Sequence, residues 1–193
     1  MEREIMLTGI GGQSVQLGAL VLARAAALED RHVVTLGTYG GTMRGGPTDS
    51  TLVVADEPIL SPPIVSRTWA ALVMHHQFWE PLQRKLRPGG VLVRNSSLFE
   101  GDVDAERLRV FDVPATEMAT ELGSPLSASL ALVGAFAALT GLLPLTSLVT
   151  AMHDSVPSYR RQHLEHNERA LAAGFGSVPW NTAPAWDAAG QAA

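Results

Sequence analysis

Residues 2–16 read Glu2-Arg3-Glu4-Ile5-Met6-Leu7-Thr8-Gly9-Ile10-Gly11-Gly12-Gln13-Ser14-Val15-Gln16. Ile5, Met6 and Leu7 form a short apolar run that stops at Gly9, and the Ala/Leu-rich segment between Ser14 and Glu29 carries a single charge, Arg24. This order predicts a strand, a glycine turn and a buried helix. Glycines let the backbone turn tightly and approach a ligand closely, while the helix that follows directs unpaired N–H groups and a partial positive charge at the turn. Anions collect at such a turn. Gln13 and Ser14 fall at the predicted helix start, where a hydroxyl caps backbone N–H groups or touches a ligand oxygen.

Gly9, Gly11 and Ser14 fit the dinucleotide fingerprint with its third glycine replaced. That fingerprint also wants an acid about 20 residues on, at the end of the second strand, to hold the ribose. Here the second strand, His32–Leu36, runs into Gly37-Thr38-Tyr39 with no acid. No Lys follows the glycines, which excludes a Walker A loop. An anion-binding turn and a glycine turn that merely packs a helix on a sheet both remain.

Working outward, 193 residues make one domain or slightly more, with enough chain to bury a core. Charged residues are 17% of the chain and apolar ones 46%, a low surface charge that a partner surface would explain. The net charge is −5 and the basic residues are scattered, which argues against nucleic acid as a ligand. With no cysteine the chain forms no disulfide and holds no iron–sulfur cluster by thiolates. Glu2, Arg3 and Glu4 lead straight into the first strand without a signal peptide, so the expected location is cytoplasmic. Leu122–Met152 lacks any charge, and Leu126–Leu143 is about long enough to span a bilayer. Its flanks, Glu121 and Asp154, carry neither a Lys/Arg cluster nor an aromatic belt, and Pro144 breaks the run. The expectation is a helix buried on all sides, inside the domain or at a subunit contact, and no membrane span.

Strand and helix patterns alternate along the chain, as in an α/β fold with a mostly parallel sheet and flanking helices. A helix over Ser14–Leu28 precedes the second strand; further strands are predicted at Ser50–Val54, Ala70–Met74, Val91–Val93 and Leu108–Phe111. A helix over Gln77–Leu86 is stopped by Arg87-Pro88-Gly89-Gly90. The C-terminal third is helical: near Ala115–Leu122, through the uncharged run, near Thr146–Met152, and a charged helix from about Pro157 to Ala173. Residues 1–174 are expected to form the α/β domain, and 175–193 an irregular tail anchored by Trp180 and Trp186.

The second informative stretch is Tyr39-Gly40-Gly41-Thr42-Met43-Arg44-Gly45-Gly46. Four glycines around one arginine free the backbone to present a guanidinium, which forks onto phosphate or carboxylate. Following the second strand, it would share the carboxyl edge of a parallel sheet with the first glycine turn. The plainer reading is an arginine paired with Asp49.

Gly9-Ile10-Gly11-Gly12-Gln13 opening a helix, Tyr39-Gly40 with Met43-Arg44-Gly45-Gly46 before a strand, and the late Thr116-Glu117-Met118-Ala119 with Leu122-Gly123 together resemble the gamma subunit, or gamma domain, of 2-oxoacid:acceptor oxidoreductases. That family includes pyruvate, 2-oxoglutarate and indolepyruvate oxidoreductases, and the likeness runs to about Gly174. The family usually has Gly where Ser14 stands and often Pro-Glu where Gly41-Thr42 stand.

The resemblance implies a Rossmann-like fold and a subunit of a heteromeric complex, not a complete enzyme. Thiamine diphosphate, Mg and iron–sulfur clusters would reside in partner subunits, and a ferredoxin-type acceptor would take the electrons through the complex. This chain would hold none of those groups, and CoA is the implied ligand, bound through a phosphate by Gly9, Gly11, Gly12, Gln13, Ser14, Tyr39, Arg44, Gly45 and Gly46. No residue is assigned a catalytic or metal-binding role. His75-His76 ends a predicted strand, where alternation lets at most one face a site. His163 and His166, with Arg160, Arg161 and Arg169 nearby, read as a solvated or interface face. The rival readings are an independent nucleotide-binding oxidoreductase and a ligand-free interaction module.

Overall fold

The computed structural model describes residues 1–39, 45–60 and 62–186, Tyr39 by its backbone alone. Six strands, β1 (Glu2–Ile10), β2 (His32–Tyr39), β3 (Pro47–Ala55), β4 (Thr68–Val73), β5 (Leu86–Asn95) and β6 (Arg109–Val113), form one sheet in the order β2-β3-β1-β4-β5-β6. The pairs β1–β4, β4–β5 and β5–β6 are parallel. β3 runs antiparallel between β2 and β1. The reason is chain length. Parallel neighbours need a crossover of about a dozen residues or more, and only residues 40–46 separate β2 from β3. The longer link from β1 to β2 is α1 (Val15–Leu28), which sets those two strands in the same direction with β3 inserted between them.

Alternating side chains divide the sheet. Ile5, Leu7, Leu52, Val54, Ala70, Leu72, Val91 and Val93 pack on one face with α1 and the C-terminal helices, whereas Met6, Ala71, Val73 and Leu92 pack on the other with Trp79, Leu82, Phe99 and Leu108. Two sequence expectations on this second face need correction. The helix expected over Gln77–Leu86 is only a 3-10 turn, His76–Phe78, followed by α2 (Trp79–Gln83). Leu86 instead joins β5 opposite Thr68, and Arg87–Gly90 forms an irregularity inside the strand before Val91 pairs with Ala70. Gly89, at φ 75°, takes the positive angle that this bend requires.

The C-terminal third contains α3 (Ala115–Glu121), α4 (Ala128–Thr140), α5 (Leu145–Ser155) and α6 (Leu164–Gly176), the last preceded by a 3-10 turn at Ser158–His163. All thirteen residues of α4 are buried. Its missing charge is accounted for by burial inside the chain, against α6, α3, α1 and the sheet, and the alternative of a subunit contact is not needed. Among the described residues no helix is long and apolar enough to cross a membrane.

Beyond α6 the described residues, 177–186, have no helix or strand but are tied down. The N–H groups of Asn181, Ala183 and Ala185 donate to the carbonyls of Ala138, Leu139 and Thr140 at 2.7 Å each. These acceptors belong to the last turn of α4, where helical carbonyls lack partners of their own. Arg3 and Arg109 donate to the carbonyls of Ala185 and Thr182. Arg31 lies over the Trp186 ring at 4.4 Å, and Trp180 packs against Phe175.

Candidate functional site

The carboxyl ends of β1, β4, β5 and β6 share one edge of the sheet, and antiparallel β3 begins there. This brings together Gly11–Ser14, Gly45–Gly46, His75–His76 and the residues after Asn95. Gly11 N–H donates to the Gly46 carbonyl at 2.9 Å, joining the two glycine loops by backbone. A Cβ on Gly11 would lie 3.5 Å from that carbonyl oxygen and 3.6 Å from Gly45 N and Thr48 Oγ1. No described residue lies within 4 Å of where a Cβ on Gly12 (φ 107°) or Gly45 (φ 73°) would point.

The residues proposed from sequence divide into inward and outward sets. Gly9 is part of β1, and a Cβ on it would meet Gln13, Met74 and Val15 within 2.9 Å. Its bareness serves packing. Gln13 folds back so that its Oε1 accepts from Ile10 N–H at 2.8 Å, while Gln13 N–H donates to Ile10 O at 3.0 Å, which closes the turn. Ser14 is the N-cap of α1 but its hydroxyl caps nothing, contrary to expectation; the residue sits in the left-handed region at φ 57°, ψ 25°, so its side chain is turned away from the helix N–H groups. Ser14 O accepts from Gly18 N–H and from Ser129 Oγ, tying the turn to α4. The Tyr39 side chain and Arg44 lie outside the described residues. Asp49 accepts from the Thr8 hydroxyl.

His75 and His76 overturn the alternation argument. They lie beyond β4, and their rings stack with centroids 4.6 Å apart. His75 Nδ1 accepts from Gln77 N–H at 3.2 Å, and His76 Nδ1 lies 3.1 Å from Leu98 O. Burial, reinforced by the neighbouring His76 and opposed by Glu100, holds the His75 pKa below its usual 6.5.

Sequence reasoning missed two features. Asn95 is fully buried and fastens three elements: its Nδ2 donates to Met74 O at 3.2 Å and Thr116 Oγ1 at 2.8 Å, and its Oδ1 accepts from Thr116 N–H at 3.1 Å. Ser97 Oγ accepts from Glu117 N–H in the first turn of α3. The Thr116 hydroxyl thus has a structural partner in the late motif, whereas Glu117 contributes its backbone N–H. The second feature is a cavity of about 330 Å³ beside the first turn of α1, bounded by Ser14, Leu17, Ser124, Leu126, Arg160 and His163. From sequence, Arg160 and His163 read as a solvated or interface face. His166 diverges from His163 and sits beside Gly123. Nothing in their spacing signals the cavity, because it exists only where α1 meets the C-terminal helices.

Comparison with known proteins places this geometry in context. The family model for pyruvate ferredoxin/flavodoxin oxidoreductase matches residues 4–177. The chain is 32% identical over 178 residues to the 2-oxoglutarate synthase subunit KorC of Methanocaldococcus jannaschii, covering 91% of this chain and 93% of that one. The gamma subunit of a keto/oxoacid ferredoxin oxidoreductase from Geobacter sulfurreducens superposes with a TM-score of 0.78 at 26% identity, covering 91% and 95% of the two chains. The 2-oxoglutarate:ferredoxin oxidoreductase of Magnetococcus marinus, solved with 2-oxoglutarate, coenzyme A and succinyl-CoA, gives a TM-score of 0.81 at 19% identity. There the likeness is one of fold, covering 94% of this chain but 34% of the longer one.

Proposed function

Because the chain belongs to the pyruvate ferredoxin/flavodoxin oxidoreductase family as a gamma-type subunit, we propose that it serves its multi-subunit 2-oxoacid oxidoreductase by holding a phosphate of CoA at the paired glycine loops and by packing against the other subunits. The overall reaction takes a 2-oxoacid and CoA to acyl-CoA, CO₂, a proton and two electrons, the last passed to a ferredoxin-type acceptor. Breaking the bond between carbonyl and carboxylate needs an electron sink such as thiamine diphosphate, and moving electrons singly needs a redox centre. With no cysteine, this chain has no thiolate for a cluster, so the proposal assigns those groups to the partner subunits.

The observation that carries the reading is the 2.9 Å bond from Gly11 N–H to Gly46 O. It sets two glycine loops side by side at the sheet edge where α/β folds bind ligands, next to the N-terminus of a fourteen-residue helix. The role of this chain is to bind and orient; an anion there meets backbone dipoles, and Arg44 immediately precedes Gly45 in the sequence.

The test uses the assembled complex. Arg44→Ala should raise the KM for CoA by roughly ten-fold to a hundred-fold, the loss of one charge-assisted contact. Arg44→Lys should recover part, since lysine lacks the fork. An unchanged KM with weakened assembly would make the loop an interface element and remove CoA from the reading. The chain expressed alone should turn over no 2-oxoacid.

A further inference from the structure

We propose that the proline-stiffened loop of residues 57–60 and 62–66, with the pocket beside it, is the surface on which another subunit of the oxidoreductase docks, covering Leu60 and Ile64 and setting a neutral hydrogen-bond donor on Oε2 of Glu4. The proposal rests on the reading that this chain packs against the other subunits, and it names the place.

Glu4 is the fixed point of this surface. It stands in β1 opposite Val53 of β3, and its carbonyl accepts from the Thr68 hydroxyl of β4 at 2.7 Å, so it is held from both neighbouring strands. Glu4 is only 8% exposed, and its Oε1 is paired with Arg87. Oε2 is buried and bonds to none of the described residues. Buried polar atoms are nearly always partnered, and a charged group left without a donor is the costly case. Glu4 lines a pocket of about 310 Å³ whose apolar walls are Val53, Ile59, Ile64 and Val65, and this pocket is the way in for the missing donor.

The loop supplies the apolar half of the contact. Leu60 and Ile64, at 94% and 78%, are the two most exposed large apolar side chains among the described residues, and both belong to this loop. Pro58, Pro62 and Pro63 fix backbone angles there, so little further ordering is lost when a partner covers the apolar pair. Charge selects the occupant. Around the pocket Glu2 and Glu4 are balanced by Arg67 and Arg87, so a free anion or cation gains nothing net. The group that fits is neutral, a main-chain N–H or a hydroxyl, carried on an apolar segment of polypeptide. A second copy of this chain would set the loop against itself across a two-fold axis, and its three prolines offer no N–H. Another subunit has no such restriction. The pocket lies at the amino ends of β1 and β4, the sheet edge away from the glycine loops, so a subunit seated there leaves those loops open to their ligand.

The test co-expresses the chain with the other subunits and measures how much of them it recovers. Leu60→Asp combined with Ile64→Asp should cut that recovery roughly ten-fold or more. The free double variant should keep the parent's circular dichroism and melting temperature, because both positions are exposed in it. Glu4→Gln keeps an oxygen for Arg87 and turns an amide N–H toward the pocket where an acceptor stood, so it should weaken assembly in the same direction. A photo-reactive benzophenone side chain in place of Leu60 should cross-link to another subunit. Unchanged assembly of the double variant or of Glu4→Gln would overturn the proposal, and so would cross-linking only to a second copy of this chain, or to nothing. If the parent chain recovers the other subunits and the double variant recovers as much, only this surface falls; if the parent recovers none, the packing reading falls with it.

Discussion

Gly174 lies so close to Ala131 that a Cβ placed on it would sit 1.9 Å from the Ala131 carbonyl oxygen. The contact is reciprocal in kind, since a Cβ on Gly134 would sit 2.1 Å from Leu171 O. The two glycines let α4 and α6 approach backbone to backbone, and neither side has a flexible side chain that can move aside. Gly174→Ala should therefore destabilise by about 3 kcal/mol or more, at or above the usual ~1–3 kcal/mol range for overpacking. Thermal unfolding measures this: at ~2–4 °C per kcal/mol for a chain of this size, a fall of less than ~5 °C would show that the helices separate at low cost.

Ser14 pays a conformational cost that a glycine would not. A non-glycine residue in the left-handed region loses about 1 kcal/mol or more, and Ser14 is held there at φ 57°. Ser14→Gly should stabilise by up to about 1 kcal/mol, the gain being reduced by the greater freedom of glycine in the unfolded chain. Ser14→Val should destabilise by about 1–2 kcal/mol because branching at Cβ worsens the clash. Denaturant melts of the two variants should bracket the parent, and a Val variant as stable as the parent would refute the strain argument.

His75 should titrate below 6.5, and the sign of its effect on stability follows. A base whose folded-state pKa is depressed binds protons less readily when folded than when unfolded. Its contribution is complete above about 6.5 and falls as pH drops through that value toward the lower folded pKa. Because burial is the larger cause and His76 the smaller, His76→Asn should raise the His75 midpoint only part of the way. Ring-proton NMR titration reads this directly, and a midpoint at or above 6.5 in the parent would contradict the packing of the two rings.

Much of this fold was legible in the sequence because its signals are local. The strand, glycine turn and helix from Glu2 to Leu28 follow from one apolar run, three glycines and an almost uncharged segment, and α4 follows from its composition. What escaped depends on partners distant in sequence. Leu86 looked like the end of a helix and became strand because Thr68 in β4 offers it a ladder partner. His75 and His76 looked like alternating strand residues, but β4 ends two residues earlier and the rings turn together. For the site, Gly9, Gly11, Gly12 and Gln13 were picked out by pattern alone, yet pattern could not separate Gly9, which makes room for Met74 and Val15, from Gly12, where a Cβ would meet no described residue within 4 Å. Arg160 and His163 were unreadable as cavity residues because the opposite wall comes from α1, more than a hundred residues earlier in the chain.

The bonds from Asn181, Ala183 and Ala185 to the last turn of α4 also bear on the order in which the molecule is made. During synthesis α4 leaves the ribosome long before the segment that closes its end, so its final carbonyls wait on solvent while the rest of the helical layer gathers around them. The last turn of α4 is closed by residues 43 to 45 positions later in the sequence. A chain cut before Asn181 would leave the carbonyls of Ala138, Leu139 and Thr140, at the end of a helix buried along its whole length, without those three donors.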